Sequence, residues 1–204
     1  LTDKYDWKTP IPTGRHFWRN LMKLSSPRIE PLEESQWNDA QRKILEPIKG
    51  KQPFYNVMGT LSRHVDAAQK FQVWAHHIMG ETSTILPRER ELLILRVGWL
   101  CDAEYEWGQH VIFGRSVGLS DEEIARIKLG PDAAGWTRFE SALLLAADEL
   151  HNDSFISDAT WASLSSQFSD QQMMDVIFTV GQYHTVSMAL NSLGVQLDKG
   201  VGGF

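Results

Sequence analysis

The chain of 204 residues contains one cysteine, Cys101. A single thiol excludes a disulfide within the chain and fits a reducing, cytoplasmic setting. Long apolar runs are missing too. The longest, such as LLIL at 92–95 and ALLLAA at 142–147, are far too short to cross a bilayer. The first residues, LTDKYDWKTPIPTGRHFW, have no basic-then-apolar leader pattern, so nothing in them points to export. Basic clusters are absent as well: the net charge is -6, from 20 basic and 26 acidic side chains. With Lys and Arg scattered, neither nucleic acid nor a membrane surface is an expected partner. Strand-like alternation, a Gly-rich phosphate loop and low-complexity tracts do not occur.

What remains is helical patterning around an ordinary 42% hydrophobic content, enough for a substantial core. Residues 1–34 carry Pro10, Pro12, Pro27 and Pro31 without sustained periodicity, and read as an extended N-terminal arm. Trp7, Phe17, Trp18, Leu21 and Met22 make that arm too apolar to hang free, so it is expected to lie on a neighbouring subunit. From Ser35 to residue 204 helical stripes run almost without break. Pro87 opens one helix, since proline at the first helical position gives up no needed hydrogen bond. Asp102 is expected to cap the next, to about Val117, with Gly118 as its stop. SDEE from Ser120 is a capping box. The reading is one all-α domain of about seven or eight helices after the arm.

Polar chemistry concentrates in CDAEYEWGQH, residues 101–110. Glu106 and His110 are four apart, hence on one helical face and able to share a proton. Glu104 and Glu106 fall in the first turn, where the helix dipole favours carboxylates. Glu104 points roughly the other way and is expected to do something different. In the preceding helix Glu91 stands amid RELLILRVGW, where its neighbours draw it inside. A buried carboxylate beside an imidazole shifts proton affinities toward those that acid–base catalysis uses. The competing reading of the same spacing is a solvated helix face.

The segment ELLILRVGWLCDAEYEWGQHVIFGRSVG, residues 91–118, resembles the carboxymuconolactone decarboxylase and AhpD-like alkylhydroperoxidase superfamily. NVMGTLSRH at 56–64, GLSDEEIARI at 118–127 and ALNSLGVQLD at 189–198 extend the likeness over most of the chain after residue 28. The decarboxylase branch tends to carry EYEW-like residues before its histidine, as here. The peroxidase branch carries Cys-x-x-Cys-x-x-x-His, with a relay glutamate in the helix before. On this sequence that histidine is His110, the second cysteine position is Glu106, the first is Ala103, and the relay glutamate is Glu91. Both family cysteines are therefore replaced. Cys101 lies two residues early, and one thiol cannot close the intramolecular disulfide through which a dithiol peroxidase turns over.

The resemblance implies an AhpD-like bundle assembling as trimers or hexamers. It also implies an enzyme in which His110, Glu106 and Glu91 decarboxylate or isomerise a small organic acid or lactone, without a cofactor. The alternatives are an alkylhydroperoxidase using Cys101 and an inactive helical oligomerisation protein. Cys101 and Glu104 are secondary site candidates; the commoner fate of such a cysteine is as a small buried apolar group. Tyr105 and Trp107, with Tyr183 and His184, are candidate pocket residues for a flat organic ring; for Trp99 plain core packing is the favoured reading. His64 reads as a structural hydrogen bonder and His151 as a cation meeting a helix C-terminus. A metal site joining Glu106 and His110 to His76 or His184 is conceivable, but the Glu-x-x-His spacing of di-iron bundles is missing here, and no metal is expected.

Overall fold

Capping side chains set where most helices begin. In the computed structural model, which describes residues 24–49 and 55–204, the helices are α1 (Asp39–Leu45), α2 (Asn56–Leu61), α3 (Val65–Met79), α4 (Pro87–Leu100), α5 (Glu104–Ser116), α6 (Asp121–Leu129), α7 (Arg138–Asp153), α8 (Asp158–Ser165) and α9 (Asp170–Leu193). Two 3-10 turns, Glu34–Gln36 and Glu46–Ile48, complete the described residues, which contain no strand. The all-α class thus stands, with nine α-helices where seven or eight are read from the sequence. The addition is α2, too short for a periodic stripe.

Reciprocal caps start α6 at Ser120 and Glu123, α7 at Thr137 and Glu140, and α9 at Ser169 and Gln172. Pro87 opens α4, and the Glu89 carboxylate accepts the Leu86 N–H at 3.0 Å. His64 starts α3, its Nδ1 accepting from Ala67 N–H. The start of α5 departs from the expectation. Its cap is Ala103, not Asp102, which lies one residue earlier in the left-handed region at φ 52°. That conformation turns the chain sharply enough for Ala103 N–H to donate to the Gly98 carbonyl at 2.9 Å. Asp102 is therefore a turn residue, and the α4–α5 hairpin is tight.

Helix α4 is the axis of the fold. Every residue from Arg90 to Gly98 is buried, as befits a helix packed on α5, α7 and α9 together. Leu93, Ile94 and Val97 join Leu143, Ala146, Val176 and Val180 in the main core, while Leu92 and Leu95 meet Trp107, Ile124 and Ile127 on the other side. Each such leucine or isoleucine contributes roughly 1.5–3 kcal/mol by burial. Arg96, also buried, is matched by the Asp148 carboxylate at 2.5 and 2.8 Å and by the Ile127 carbonyl at the end of α6.

The chain ends are tied to this frame. Arg28 and Ile29 donate to the Leu193 carbonyl, and Leu32 packs with Trp37 and Leu45. Residues 24–34 of the arm thus contact their own chain; the apolar residues from Trp7 to Met22 lie outside the described residues. At the other end, the tail after α9 crosses α5 so closely that a Cβ on Gly108 would stand 2.4 Å from the Gly202 carbonyl. Asp198, buried on that tail, accepts hydrogen bonds from Tyr105 Oη (2.5 Å), Gln109 Nε2 (2.6 Å) and the Asn56 N–H (2.8 Å). Losing one acceptor strands three donors, each costing up to a few kcal/mol. Asp198→Ala is therefore expected to destabilise the protein by about 3 kcal/mol or more. Denaturant unfolding reads this directly, and a change within 0.5 kcal/mol would contradict it.

Candidate active site

The α4–α5 hairpin carries the polar centre. Glu91 lies in the second turn of α4 and is 1% exposed; Glu106 and His110, on one face of α5, are 4% and 6% exposed. The His110 ring joins the two carboxylates: Nδ1 is 2.7 Å from Glu91 Oε2 and Nε2 is 2.9 Å from Glu106 Oε1. The second contact is close enough to share charge, yet not aligned for a hydrogen bond. Glu106 Oε1 is thus a buried acceptor that makes no hydrogen bond among the described residues. Arg90 places Nε 3.9 Å from Glu91 Oε1. Taken at formal charges, Arg90, Glu91, His110 and Glu106 form a buried row of alternating sign that sums to zero.

Electrostatics fix the protonation of the ring. Burial by itself would lower the His110 pKa, but the Glu91 and Glu106 carboxylates beside the ring outweigh it and push it up to about 10. This corrects the expectation of values moved toward neutrality: His110 is an imidazolium at pH 7. Aromatic rings close around it. Tyr183 meets it edge-on at 4.9 Å between centroids, and Phe113 is tilted against it at 5.2 Å. Burial and the same two carboxylates push the Tyr183 hydroxyl well above its ordinary pKa, so it stays protonated.

The other candidate residues are dispersed. The Glu104 carboxylate lies against Gly203 of the C-terminal tail, on a different face from Glu106. Tyr105 does not line a pocket beside His110, because its hydroxyl is committed to Asp198. Trp107 packs edge-on to Trp99 at 5.9 Å and against Phe204 at 5.7 Å, with Lys128 Nζ 4.9 Å above it. Both aromatic residues hold the tail. Cys101 and His184 meet in a second cluster with His151, and burial pushes the Cys101 thiol up to about 11. His151 is thus engaged by side chains as well as sitting at a helix end. The set of Glu106 and His110 with His76 or His184 does not converge. An apolar groove lies elsewhere, between α3 and α9, lined by Leu61, Ala68, Phe71, Val186 and Leu190 among others.

Sequence reasoning missed Arg90, Phe113 and His151. Phe113 is three residues after His110, a helical neighbour that spacing could have flagged. Arg90 adjoins Glu91, and no periodicity rule turns two adjacent charges inward together. His151 meets its partners only through tertiary structure.

Comparison with known proteins fits this geometry. The carboxymuconolactone decarboxylase family matches residues 66–148, from the start of α3 through most of α7. No curated protein matches the chain. Among solved structures, an alkylhydroperoxidase AhpD core from Ralstonia eutropha JMP134, an uncharacterized peroxidase-related protein, superposes with a TM-score of 0.75 at 18% identity, covering 85% of this chain and 93% of that one. An Agrobacterium tumefaciens protein of unknown function, associated by name with antioxidant defence protein AhpD, gives 0.62 at 19% identity over 67% and 94%. A variant of the debrominase Bmp8 in complex with 2,3,4-tribromopyrrole gives 0.66 at 13% identity over 86% and 94%. At these identities the likeness is one of fold. The match to the carboxymuconolactone decarboxylase family spans the hairpin that carries Glu91, Glu106 and His110, and the bundle shares the fold of the AhpD-like structures.

Proposed function

We propose that the protein is an acid–base enzyme of the decarboxylase kind, acting on a small cyclic or aromatic-derived organic acid or lactone. The observation that carries this reading is the His110 imidazolium held between Glu91 and Glu106, with Glu106 Oε1 left as a buried acceptor. In decarboxylation the bond from carbon to the carboxylate breaks and CO2 leaves. The electron pair passes into the adjacent unsaturated system. The proton on His110 Nε2 goes to carbon, and solvent restores it. In isomerisation the same pair takes a proton from one carbon and returns it to another. Glu91 holds Nδ1–H throughout, fixing the ring and supporting its charge. Tyr183 and Phe113 keep water from the pair.

The thiol-peroxidase alternative is less well supported. Ala103 and Glu106 occupy the positions of the family cysteines, and Cys101 has a thiol pushed up to about 11, poorly suited to nucleophilic attack at neutral pH. Exposed apolar side chains on α3 and α9, Val73, Trp74, Ile177 and Met188, support homo-oligomeric assembly. Light scattering at micromolar concentration is expected to give a trimer or hexamer; a monomer would refute this part of the reading.

With a substrate in hand, Glu106→Gln and His110→Ala are each expected to reduce kcat by about 10²- to 10⁴-fold. Glu104→Gln, on another face, should lose far less. Circular dichroism must show that the variants are folded, since emptying one place in a buried charge row is itself destabilising by about 3–5 kcal/mol. Glu106→Gln keeps the shape and is the more decisive change. Equal losses at 104 and 106 would refute the assignment.

Ring titration tests the electrostatics without any substrate. The folded pKa lies above the ordinary 6.5, so the stabilisation from His110 is fully present below pH 6.5 and is lost as pH rises through about 10. NMR should show the His110 ring still protonated at pH 8, and Glu106→Gln should lower its midpoint. A ring that is neutral at pH 7 in the native protein would contradict the assignment.

A further inference from the structure

Cys101, His151 and His184 come from the C-terminal end of α4, the last turn of α7 and the middle of α9, and they play no part in the acid–base set. One ligand atom from each lies within 4.8 Å of the other two, and all three residues are half-buried. The contacts run through a single nitrogen: His151 Nδ1 is 2.9 Å from His184 Nε2 and 3.8 Å from Cys101 Sγ. A nucleophilic relay would use the two opposite nitrogens of the central ring, one for the sulfur and one for the orienting group. Here the same nitrogen faces both neighbours, so the three atoms converge on a point.

The surroundings prepare that point for a cation. His184 Nδ1 is 2.8 Å from the Val180 carbonyl, which can only accept, so this nitrogen carries the proton and Nε2 of the neutral ring is a lone pair. A ring nitrogen tied to a backbone carbonyl is the support that metal-bound imidazoles commonly have. Ser187, one turn after His184 on α9, is fully buried and its hydroxyl makes no hydrogen bond among the described residues. A tetrahedral zinc ion with bonds of about 2.0–2.3 Å separates its ligand atoms by about 3.3–3.6 Å. The observed 2.9 and 3.8 Å need shifts of a few tenths of an ångström, and the third pair, Cys101 Sγ and His184 Nε2, lies within 4.8 Å and closes to about 3.6 Å around the ion.

We propose that Cys101, His151 and His184 form a binding site for a borderline-soft divalent transition metal, zinc in the first place, that ties together α4, α7 and α9. One thiolate and two imidazoles suit such an ion and suit magnesium or calcium poorly. Binding sends the thiol proton to solvent and moves the His151 ring proton from Nδ1 to Nε2. Both facing nitrogens then offer lone pairs. The fourth position is left to water or a small anion.

The test uses the full chain without a histidine tag, stripped with a chelator. Titration with Co²⁺ is expected to bind one ion per chain and to raise a thiolate-to-cobalt charge-transfer absorption in the near ultraviolet, which Zn²⁺ abolishes on displacement. Cys101 is the only cysteine, so that band has one possible origin. Zn²⁺ at a hundredfold excess over Kd should raise Tm by about 5–10 °C. Cys101→Ser should lose the band while remaining folded, and His151→Ala and His184→Ala should each weaken binding by about a hundredfold or more. His76→Ala and His110→Ala should keep the band. Because the decisive signal is read on the unaltered chain, it stands even if a histidine variant fails to fold. Cobalt bound without a thiolate band, or no binding at micromolar metal, would overturn the proposal.

Discussion

An imidazolium buried between two carboxylates is the constraint around which this molecule is arranged. Glu91 and Arg90 sit on a helix whose stretch from Arg90 to Gly98 is wholly buried and mostly leucine, isoleucine and valine. A lone charge there would be far too costly. It is tolerable only because Arg90, Glu91, His110 and Glu106 alternate in sign and stand within a few ångströms of one another. Even so, well-packed hydrophobic residues in their places would hold the helices together at least as well. A chain that keeps four charges in its core is spending stability on something other than stability, which is the physical case for regarding this row as functional.

The row also dictates how α5 must lie. His110 reaches Glu91 only if α5 folds straight back along α4, and the turn that achieves this uses Asp102 in a left-handed conformation, with no side-chain cap at Ala103. Glu104 and Glu106 in the first turn compensate for the missing cap by placing negative charge at the helix N-terminus. On the outer side the C-terminal tail fastens the helix. Gly108 gives the tail room, Asp198 gathers Tyr105, Gln109 and Asn56, and Phe204 covers Trp99 and Trp107. Two faces of one helix are thereby divided between the buried charge row and anchorage of the tail.

That division explains what could be read from the sequence. Capping signatures at Ser120, Thr137 and Ser169 and the proline at 87 are local, so the helices from α4 onward were legible with nearly correct limits. The pairing of Glu106 with His110 was legible for the same reason, being one helical turn. Asp102 was misplaced because aspartate suits both a cap and a left-handed turn, and only the distance back to Gly98 decides between them. Tyr105 and Trp107 were assigned to a pocket because aromatic residues near a polar motif suggest one. Their true partners, Asp198 and Phe204, are more than ninety residues along the chain. That a carboxylate partner raises the basicity of His110 was legible, but the extent of the shift was not, since burial opposes it and only the distances settle how far the carboxylates prevail.

The peroxidase pattern that the sequence resembles and the structure meet at two positions, Ala103 and Glu106, where that pattern has cysteines and this chain does not. Ala103 places a buried methyl group at the turn, and Glu106 places a carboxylate next to the histidine that would otherwise serve a thiol. A carboxylate in place of a thiol keeps a proton-exchanging group 2.9 Å from the ring while removing the atom that can be oxidised. In the proposed acid–base reading, the row from Glu91 through His110 then ends on an oxygen that can exchange protons but cannot be oxidised as a thiol can. The remaining sulfur, Cys101, is drawn away from this relay by the turn itself, toward α7 and α9. Tyr183 and His184 are successive residues on α9, about 100° apart around the helix. The first faces His110 and the second faces Cys101 and His151. A single helix thus borders both clusters and keeps them apart, so the buried charge row and the sulfur–imidazole cluster stand on different faces of α9.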